Sequence, residues 1–134
     1  MDQPPRLTTY LYIAGRDFEP EICTSTLGID PTQIWRQKLK HLEHRIDLPN
    51  ISWRLGRSKR PLYSVSEAVE EVLDLVWPAR EKLKMFIESH DFEVGIECSV
   101  TIFDDRPVYE LLPHTIQRLA VIGCRFGLDI IDYS

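Results

Sequence analysis

The stretch between Ser64 and His90 constrains the fold more than any other, because it holds the longest apolar pattern at helical spacing. Its apolar side chains recur at three- and four-residue steps, which predicts an amphipathic helix with one buried face. Ser64 and Glu67 have the spacing of a capping box, so the helix is expected to begin at this serine. Pro78 has no amide hydrogen to donate and crowds the preceding turn, which predicts a kink or a short break.

Alternating apolar and polar residues predict strands on both sides of this helix. Segment 93–102 alternates without exception, as a strand with one solvated face does. Segment 8–14 is rich in β-forming residues on both of its faces and is therefore expected to be central. The other predicted strands are 31–36, 50–56, 108–111 and 128–133, and residues 57–61 are expected to form a basic loop.

Two shorter helices complete the predicted elements. The first is expected between Asp17 and Gly28 and the second between Pro113 and Gly123, because proline suits a helix start and glycine a helix end. The inner face of the second helix is expected to consist of Ile116, Leu119 and Ala120. Together the elements predict an α+β fold with two layers: a mostly antiparallel sheet of about five or six strands, with the long kinked helix and the two shorter helices packed on one side.

Length and composition indicate a globular protein. A chain of 134 residues predicts a single domain spanning 1–134, in which segment 37–50 forms either a short helix or a mobile excursion. Three cysteines without a close pairing indicate neither a disulfide framework nor a cysteine-based zinc site. No signal-peptide pattern and no apolar run of membrane length are present, so a soluble cytoplasmic protein is expected, with no membrane contact.

Charge is segregated along the chain. The net charge is −5, but residues 36–60 carry eight bases and two acids, so the remainder is strongly acidic. Segregated charge favours fast, oriented association with a protein partner. A partner-binding acidic face is predicted from Glu67, Glu70, Glu71, Glu93 and Glu97. A basic surface is predicted from Arg36, Lys38, Lys40, Arg54, Arg57, Lys59 and Arg60.

The basic stretch includes two tryptophans, Trp35 and Trp53, which raises the question of nucleic-acid binding. Basic side chains beside exposed aromatic rings suit phosphate contact and base stacking. However, the sequence pI is near 5.3, and both tryptophans can be core residues of their strands. Protein binding is therefore preferred over nucleic-acid binding.

Catalytic signatures are absent from the sequence: it has no phosphate-binding glycine loop, no nucleophile elbow and no two-histidine zinc helix. No catalytic residue, metal or cofactor is therefore predicted. His41 and His44 could share one helical face, but a metal site needs further ligands and solvated histidines are the simpler interpretation. Cys124, beside Arg125, is either a thiol with a lowered pKa or a bystander.

Three functions are compatible with these observations. The first is a non-enzymatic protein-binding module, such as an immunity protein that neutralises a toxin. The alternative is a small-ligand-binding or enzymatic domain, with a pocket between helix and sheet at Asp17, Trp35, Arg54 and Asp129. The third is self-association into a homo-oligomer, for which the strand with Tyr10 and Tyr12 is a candidate surface.

The sequence also resembles a known family over nearly its whole length. The most specific features are the turn 15–20 and the closing strand 128–133. The matching residues are Gly15, Asp17, Phe18, Pro20, Leu27, Gly28, Ile29, Pro31, Thr32, Trp35, Trp53, Leu119, Ala120, Gly123, Leu128, Asp129, Ile130 and Tyr133. In these residues the chain resembles the bacterial domain of unknown function 4279. The resemblance implies a small stand-alone domain of the bacterial cytosol and supplies no activity or catalytic residues.

Overall fold

The computed structural model describes residues 2–36, 51–89 and 92–134, except the side chains of residues 57–60 and 89. The predictions for segment 37–50 and its histidines lie outside these residues. In chain order the elements are β1 (Arg6–Gly15), α1 (Glu21–Leu27), β2 (Gln33–Arg36), β3 (Ile51–Pro61), α2 (Val65–Val76), a 3-10 turn (Trp77–Ala79), α3 (Arg80–Ser89), β4 (Glu93–Ile102), α4 (Pro113–Ile122) and β5 (Arg125–Asp132).

The described strands form one five-stranded sheet in the order β2-β3-β1-β4-β5. Strand β1 lies at the centre and pairs antiparallel with both β3 and β4, and β2 is antiparallel to β3. Strand β5 runs parallel to β4, and α4 supplies the crossover that a parallel pair requires. The sheet is therefore mixed but mostly antiparallel, which confirms the predicted α+β class and the central position of β1.

The predicted assignments of residues 57–61 and 108–111 are wrong, and the closing strand begins at Arg125 instead of Leu128. Residues 108–111 do not form a strand; Val108 makes only an isolated parallel bridge to Ser64, and its amide donates to the Tyr63 carbonyl at 2.7 Å. Residues 57–61 belong to β3 and not to a loop, because a register shift between Leu7 and Thr9 lets the longer strand stay paired with β1.

The long helical segment begins where the capping box predicts. The Ser64 hydroxyl accepts a hydrogen bond from the Glu67 amide at 3.1 Å, and Ser64 itself has extended backbone angles. Helix α2 ends at Val76, and Pro78 lies in the 3-10 turn that separates α2 from α3. Proline is tolerated at this point because the first residues of a helical turn need no amide hydrogen for an internal bond.

One face of the sheet shares a core with all the described helices. Leu11 and Ile13 of β1, Trp53 of β3 and Leu73 of α2 are among its fully buried side chains. The Trp53 indole Nε1 donates to the Thr24 hydroxyl at 3.0 Å, which satisfies the one polar group of this buried ring. Trp53 is therefore a core residue and is inaccessible for base stacking.

The opposite face of the sheet is turned away from this core, and we call it the open face. Strand side chains alternate between the two faces, so the register assigns each residue to one of them. The aromatic and charged residues of the open face include Trp35, Arg54, Tyr10, Tyr12, Glu93, Glu97, Arg125 and Asp129.

Candidate functional site: the open face of the sheet

Arg54 is held between two aromatic rings on the open face. Its guanidinium carbon lies 4.7 Å from the centre of the Tyr10 ring and 5.3 Å from that of Trp35. Its Nε donates to the Ser52 hydroxyl at 3.2 Å. These contacts position the guanidinium across three neighbouring strands, and cation–π contacts stabilise it there.

Two glycines leave space for large side chains on the strand beside them. A Cβ atom on Gly95 would lie 2.6 Å from the Tyr12 hydroxyl oxygen. A Cβ atom on Gly127 would lie 2.9 Å from the Glu97 carboxyl carbon. Real Cβ contacts are longer than this, so Tyr12 and Glu97 occupy the space that glycine leaves. Both side chains therefore lie flat across the sheet.

The acidic end of the open face is formed by Glu97 and Asp129. Glu97 lies opposite Tyr10 in the register, and Asp129 is on the next strand. The pKa of Glu97 is raised by desolvation and by the nearby charge of Asp129, while Arg54 acts in the opposite direction. Burial also raises the pKa of Tyr10. The open face thus has a positive group held by aromatic rings on one side and two carboxylates on the other.

Replacing Glu97 by glutamine is expected to stabilise the protein slightly at neutral pH. A raised pKa means that the folded state holds the proton more tightly than the unfolded chain. Stability therefore falls as the pH rises from the ordinary carboxyl pKa of 4.5 through the raised value. The Glu97→Gln variant lacks this penalty, so its thermal midpoint should exceed that of the wild type at pH 7 and match it in acid. Thermal unfolding followed by circular dichroism across this pH range measures the difference.

Asp129→Asn is the matched control for this prediction. It removes the like charge that helps to raise the Glu97 pKa, so it should shift the pH-dependent loss of stability toward lower pH. A Glu97→Gln variant with the same pH dependence as the wild type would contradict the assignment.

A second concavity lies at the end of β1, where β4 and β5 begin. It measures about 890 Å³, and its described lining includes Arg16, Phe18, Phe92, Glu93 and Arg125. The Phe92 ring packs against Phe18 with centroids 4.8 Å apart, and Arg125 forms an ion pair with Glu93. We call this concavity the strand-end cleft.

The predicted pocket residues do not lie between helix and sheet. Trp35 and Arg54 meet on the open face, and Asp129 is on the same face but three strands away from Arg54. Asp17 lies in the turn after β1, where its φ of 50° places it in the left-handed region. The structure therefore brings together two of these four residues and separates the other two.

The five glutamates of the predicted acidic face lie on two sides of the protein. Glu93 and Glu97 belong to the open face, whereas Glu67, Glu70 and Glu71 belong to α2 on the helical side. Glu70 accepts hydrogen bonds from Thr115 and Arg118. The set does not form a single surface, because an α-helix and the far face of a sheet cannot present side chains to the same partner patch.

The predicted basic surface is described in part. Arg36 is exposed at the end of β2, and Arg54 lies on the open face. Lys38 and Lys40 lie outside the described residues. The side chains of Arg57, Lys59 and Arg60 also lie outside the described part of the chain.

The cysteines lack the properties of reactive thiols. Cys98 is buried in the core, and the pKa of Cys124 is raised by burial to about 11. The suggestion that Arg125 lowers the Cys124 pKa is wrong, because Arg125 pairs with Glu93 and the thiol is desolvated. Within the described ranges no group of three or more His, Cys, Asp or Glu side chains could hold a metal ion. No helix in the described part of the chain has the length and apolar character needed to cross a membrane.

Sequence reasoning did not connect the two tyrosines or the two glycines of the open face with the predicted pocket residues Trp35 and Arg54. Tyr10 and Tyr12 were interpreted as one of two apolar faces of a central strand, although tyrosine on alternate residues also fits an exposed aromatic surface. Gly95 and Gly127 interrupt strands that are otherwise rich in β-formers. A glycine inside a strand is a signal of close approach by a neighbour, and this signal could have indicated the site.

The fold and the open face together define a small α+β domain with one covered and one open sheet surface. The chain belongs to a family described as a domain of unknown function, DUF4279, whose family model matches residues 5–133. This match confirms the resemblance in the sequence. No curated protein and no solved structure matches the chain.

Proposed function

We propose that this chain is a protein-binding module and that the open face receives the partner. The observation that carries the proposal is the Arg54 side chain held between Tyr10 and Trp35. Arginine, tyrosine and tryptophan are the residues most enriched among those that dominate binding energy in protein interfaces. An immunity protein that neutralises a toxin is one form of such a module.

The Arg54 side chain is held in place before any partner binds, which supports a role in protein binding. A long, flexible side chain loses rotamer freedom when it is immobilised at an interface, at a cost of about 1 kcal/mol. Arg54 is already held by two rings and by the Ser52 hydroxyl, so less of this cost falls on the binding step. A preordered arginine between aromatic rings is suited to a carboxylate or a carbonyl group of a partner.

The size of the hollows on the open face favours a protein partner over a small ligand. The hollow at Tyr12, Trp35 and Arg54 measures about 150 Å³, and a neighbouring one at Thr32 and Gly56 about 180 Å³. Small-molecule sites usually enclose roughly 300–1,000 Å³. Shallow hollows of this size match single side chains of a protein partner. The charge on the face, positive at Arg54 and negative toward Asp129, would orient that partner.

The test is a capture experiment with matched variants of the tagged chain. The wild type and an Arg54→Ala/Trp35→Ala variant are incubated with lysate of the source organism, and the retained proteins are identified by mass spectrometry. A Glu67→Gln/Glu71→Gln variant is the control on the helical side. We expect a stoichiometric partner with the wild type and the control, and an affinity roughly 30-fold lower with the open-face variant, as loss of a dominant contact of about 2 kcal/mol produces.

Three outcomes decide between the hypotheses. Loss of the partner only in the open-face variant supports the proposal. Loss only in the Glu67→Gln/Glu71→Gln variant would place the partner on the α2 acids. A chain that retains no protein at moderate salt would contradict protein binding and move attention to the strand-end cleft.

A small-ligand site in the strand-end cleft is the second candidate. Its volume of about 890 Å³ lies within the usual range for small-molecule pockets, and it contains the guanidinium groups of Arg16 and Arg125 beside two phenylalanine rings. Glu93 in the same lining pairs with Arg125, so the three charged side chains leave one net positive charge, which suits an anionic ligand with an apolar part. Thermal-shift screening of nucleotides, organic acids and metabolites tests it, with Arg16→Ala as the variant that should lose any stabilisation.

A further inference from the structure

We infer that the outer edge of β5 is an interface between two copies of this chain. Strand β5 is last in the sheet order, and among the described residues no strand pairs with its outer edge. It contains no proline and no lysine, two residues that often protect an edge strand from pairing with another chain, and its charged residues are Arg125, Asp129 and Asp132. On the face that it shares with the core, Leu128 and Ile130 are 41% and 46% exposed.

Helix α4, which precedes β5 in the chain, also has exposed apolar side chains. Leu112 and Ile116 lie one helical turn apart, and each is 51% exposed. Arg118 pairs with Glu70 of α2, so its side of α4 faces α2. Ile116 is roughly 200° around the helix from Arg118, so the side of α4 that carries Ile116 faces away from α2. Leu112 and Ile116 are thus a second pair of exposed apolar side chains, at the helix that precedes β5 in the chain. Exposed apolar groups of this kind occur at interfaces.

A second copy fits this edge through antiparallel pairing of two β5 strands. Such pairing has a two-fold axis perpendicular to the sheet, and directly opposite residues point to the same face. In the register centred on Leu128, that residue lies opposite itself, and Phe126 lies opposite Ile130 of the second copy. The side chains paired on the core-side face are then all apolar, and Asp132 lies beyond the paired residues. On the open face, two Arg125–Asp129 pairs between the copies are diagonal neighbours, and the two Asp129 side chains are diagonal neighbours of each other, so two attractions face one repulsion.

The competing register is unfavourable. Opposite residues must point to the same face, so each register is centred on one residue of β5. Two such registers pair seven of the eight residues of each strand. The second is centred on Asp129, which places this carboxylate opposite its own copy and Phe126 opposite Asp132. Like charges directly opposite each other destabilise a pair of strands, so the sequence of β5 selects the register centred on Leu128.

The inferred dimer fixes the relative orientation of the two open faces, whether or not those faces bind a partner. The two-fold axis keeps the helices of both copies on one side of a continuous sheet, to which each copy contributes five strands. Both open faces therefore lie on the same side. Strand β1 is paired on both sides, so it has no free edge for a second copy.

Sedimentation equilibrium of the full chain tests the interface. The wild type should have twice the 15.7 kDa mass of the chain, whereas Leu128→Lys should sediment as the monomer, because two lysines would meet at the axis. Met85→Lys is the matched control, since Met85 is 63% exposed on α3, and this variant should stay dimeric. A wild type that is monomeric at every concentration, or a Leu128→Lys variant that remains dimeric, would overturn the inference.

Cysteine cross-linking tests the register without depending on the lysine variant. Opposite Cβ atoms in an antiparallel pair are about 5 Å apart, close to disulfide distance, so Leu128→Cys should cross-link two copies under mild oxidation. Ile130→Cys should not, because its two copies would be about 13 Å apart. The wild type, with its three native cysteines, is treated in parallel. Cross-linking through Asp129→Cys instead of Leu128→Cys would overturn the register.

Discussion

Replacing Arg118 with alanine is expected to lower the free energy of unfolding by about 3 kcal/mol, because it leaves a partly buried carboxylate without its partner. The Arg118 side chain is 10% exposed and forms ion pairs with Glu70 and, at 3.0 Å, with Asp74. Its guanidinium also lies 4.4 Å from the centre of the Trp77 ring. Urea denaturation followed by circular dichroism measures the change in free energy.

The source of this loss can be separated with a second substitution. Glu70→Gln in the Arg118→Ala background removes the uncompensated charge while the amide still accepts from Thr115, so it should recover part of the stability. Arg106→Ala is the control, because the Arg106–Asp132 ion pair is on the surface and should contribute little. Equal losses in the Arg106 and Arg118 variants would contradict a special role for burial.

The polar contacts between α2 and α4 explain why the inner face of α4 was predicted incorrectly. Apolar spacing predicted Ile116, Leu119 and Ala120, but of these only Leu119 is buried. The buried positions of α4 also include Thr115 and Arg118. They are buried because α2 supplies hydrogen-bond partners for them, and apolar periodicity within one helix does not reveal the partners on another.

Local signals in the sequence predicted the start of α2, the end of α4 and the bounds of β4. The serine at position 64 caps α2, and Gly123 ends α4 with a φ of 85°, a conformation that glycine adopts without strain. Strict alternation predicted β4 within its observed bounds of Glu93–Ile102. Each of these features depends on residues a few positions apart, so a single sequence contains the information.

The pairing of strands required information that a single sequence does not contain. An alternating segment shows which residues share a face, but not whether its neighbour is parallel or antiparallel, so the parallel pairing of β5 was not predicted. The same limit applies to the open face. Arg54 meets Trp35 and Tyr10 only because β2, β3 and β1 are neighbours in one register. The residues of the site were visible in the sequence, whereas their proximity was not.

Replacing Gly56 with alanine is expected to destabilise the protein by about 3 kcal/mol, at the upper end for overpacking by a single methyl group. A Cβ atom at this position would lie 2.5 Å from the Tyr10 Cα atom and would also meet the Thr9 carbonyl oxygen. Both obstacles are backbone atoms of the central strand, which is paired on both sides and cannot move without breaking its ladder. Thermal and urea unfolding of the Gly56→Ala variant measure the loss.

Gly127→Ala is the matched control, because the same methyl group there meets a side chain instead of backbone. The obstacle at Gly127 is the Glu97 carboxylate, which can rotate away from the sheet. We therefore expect a much smaller loss of stability, accompanied by a displaced Glu97 and by a weaker pH dependence than in the wild type. Similar losses in the two glycine variants would contradict this distinction between a backbone and a side-chain obstacle. A larger loss for Gly56→Ala would support the explanation that position 56 needs glycine because the backbone of β1 lies so close. This close approach is next to the register shift between β1 and β3.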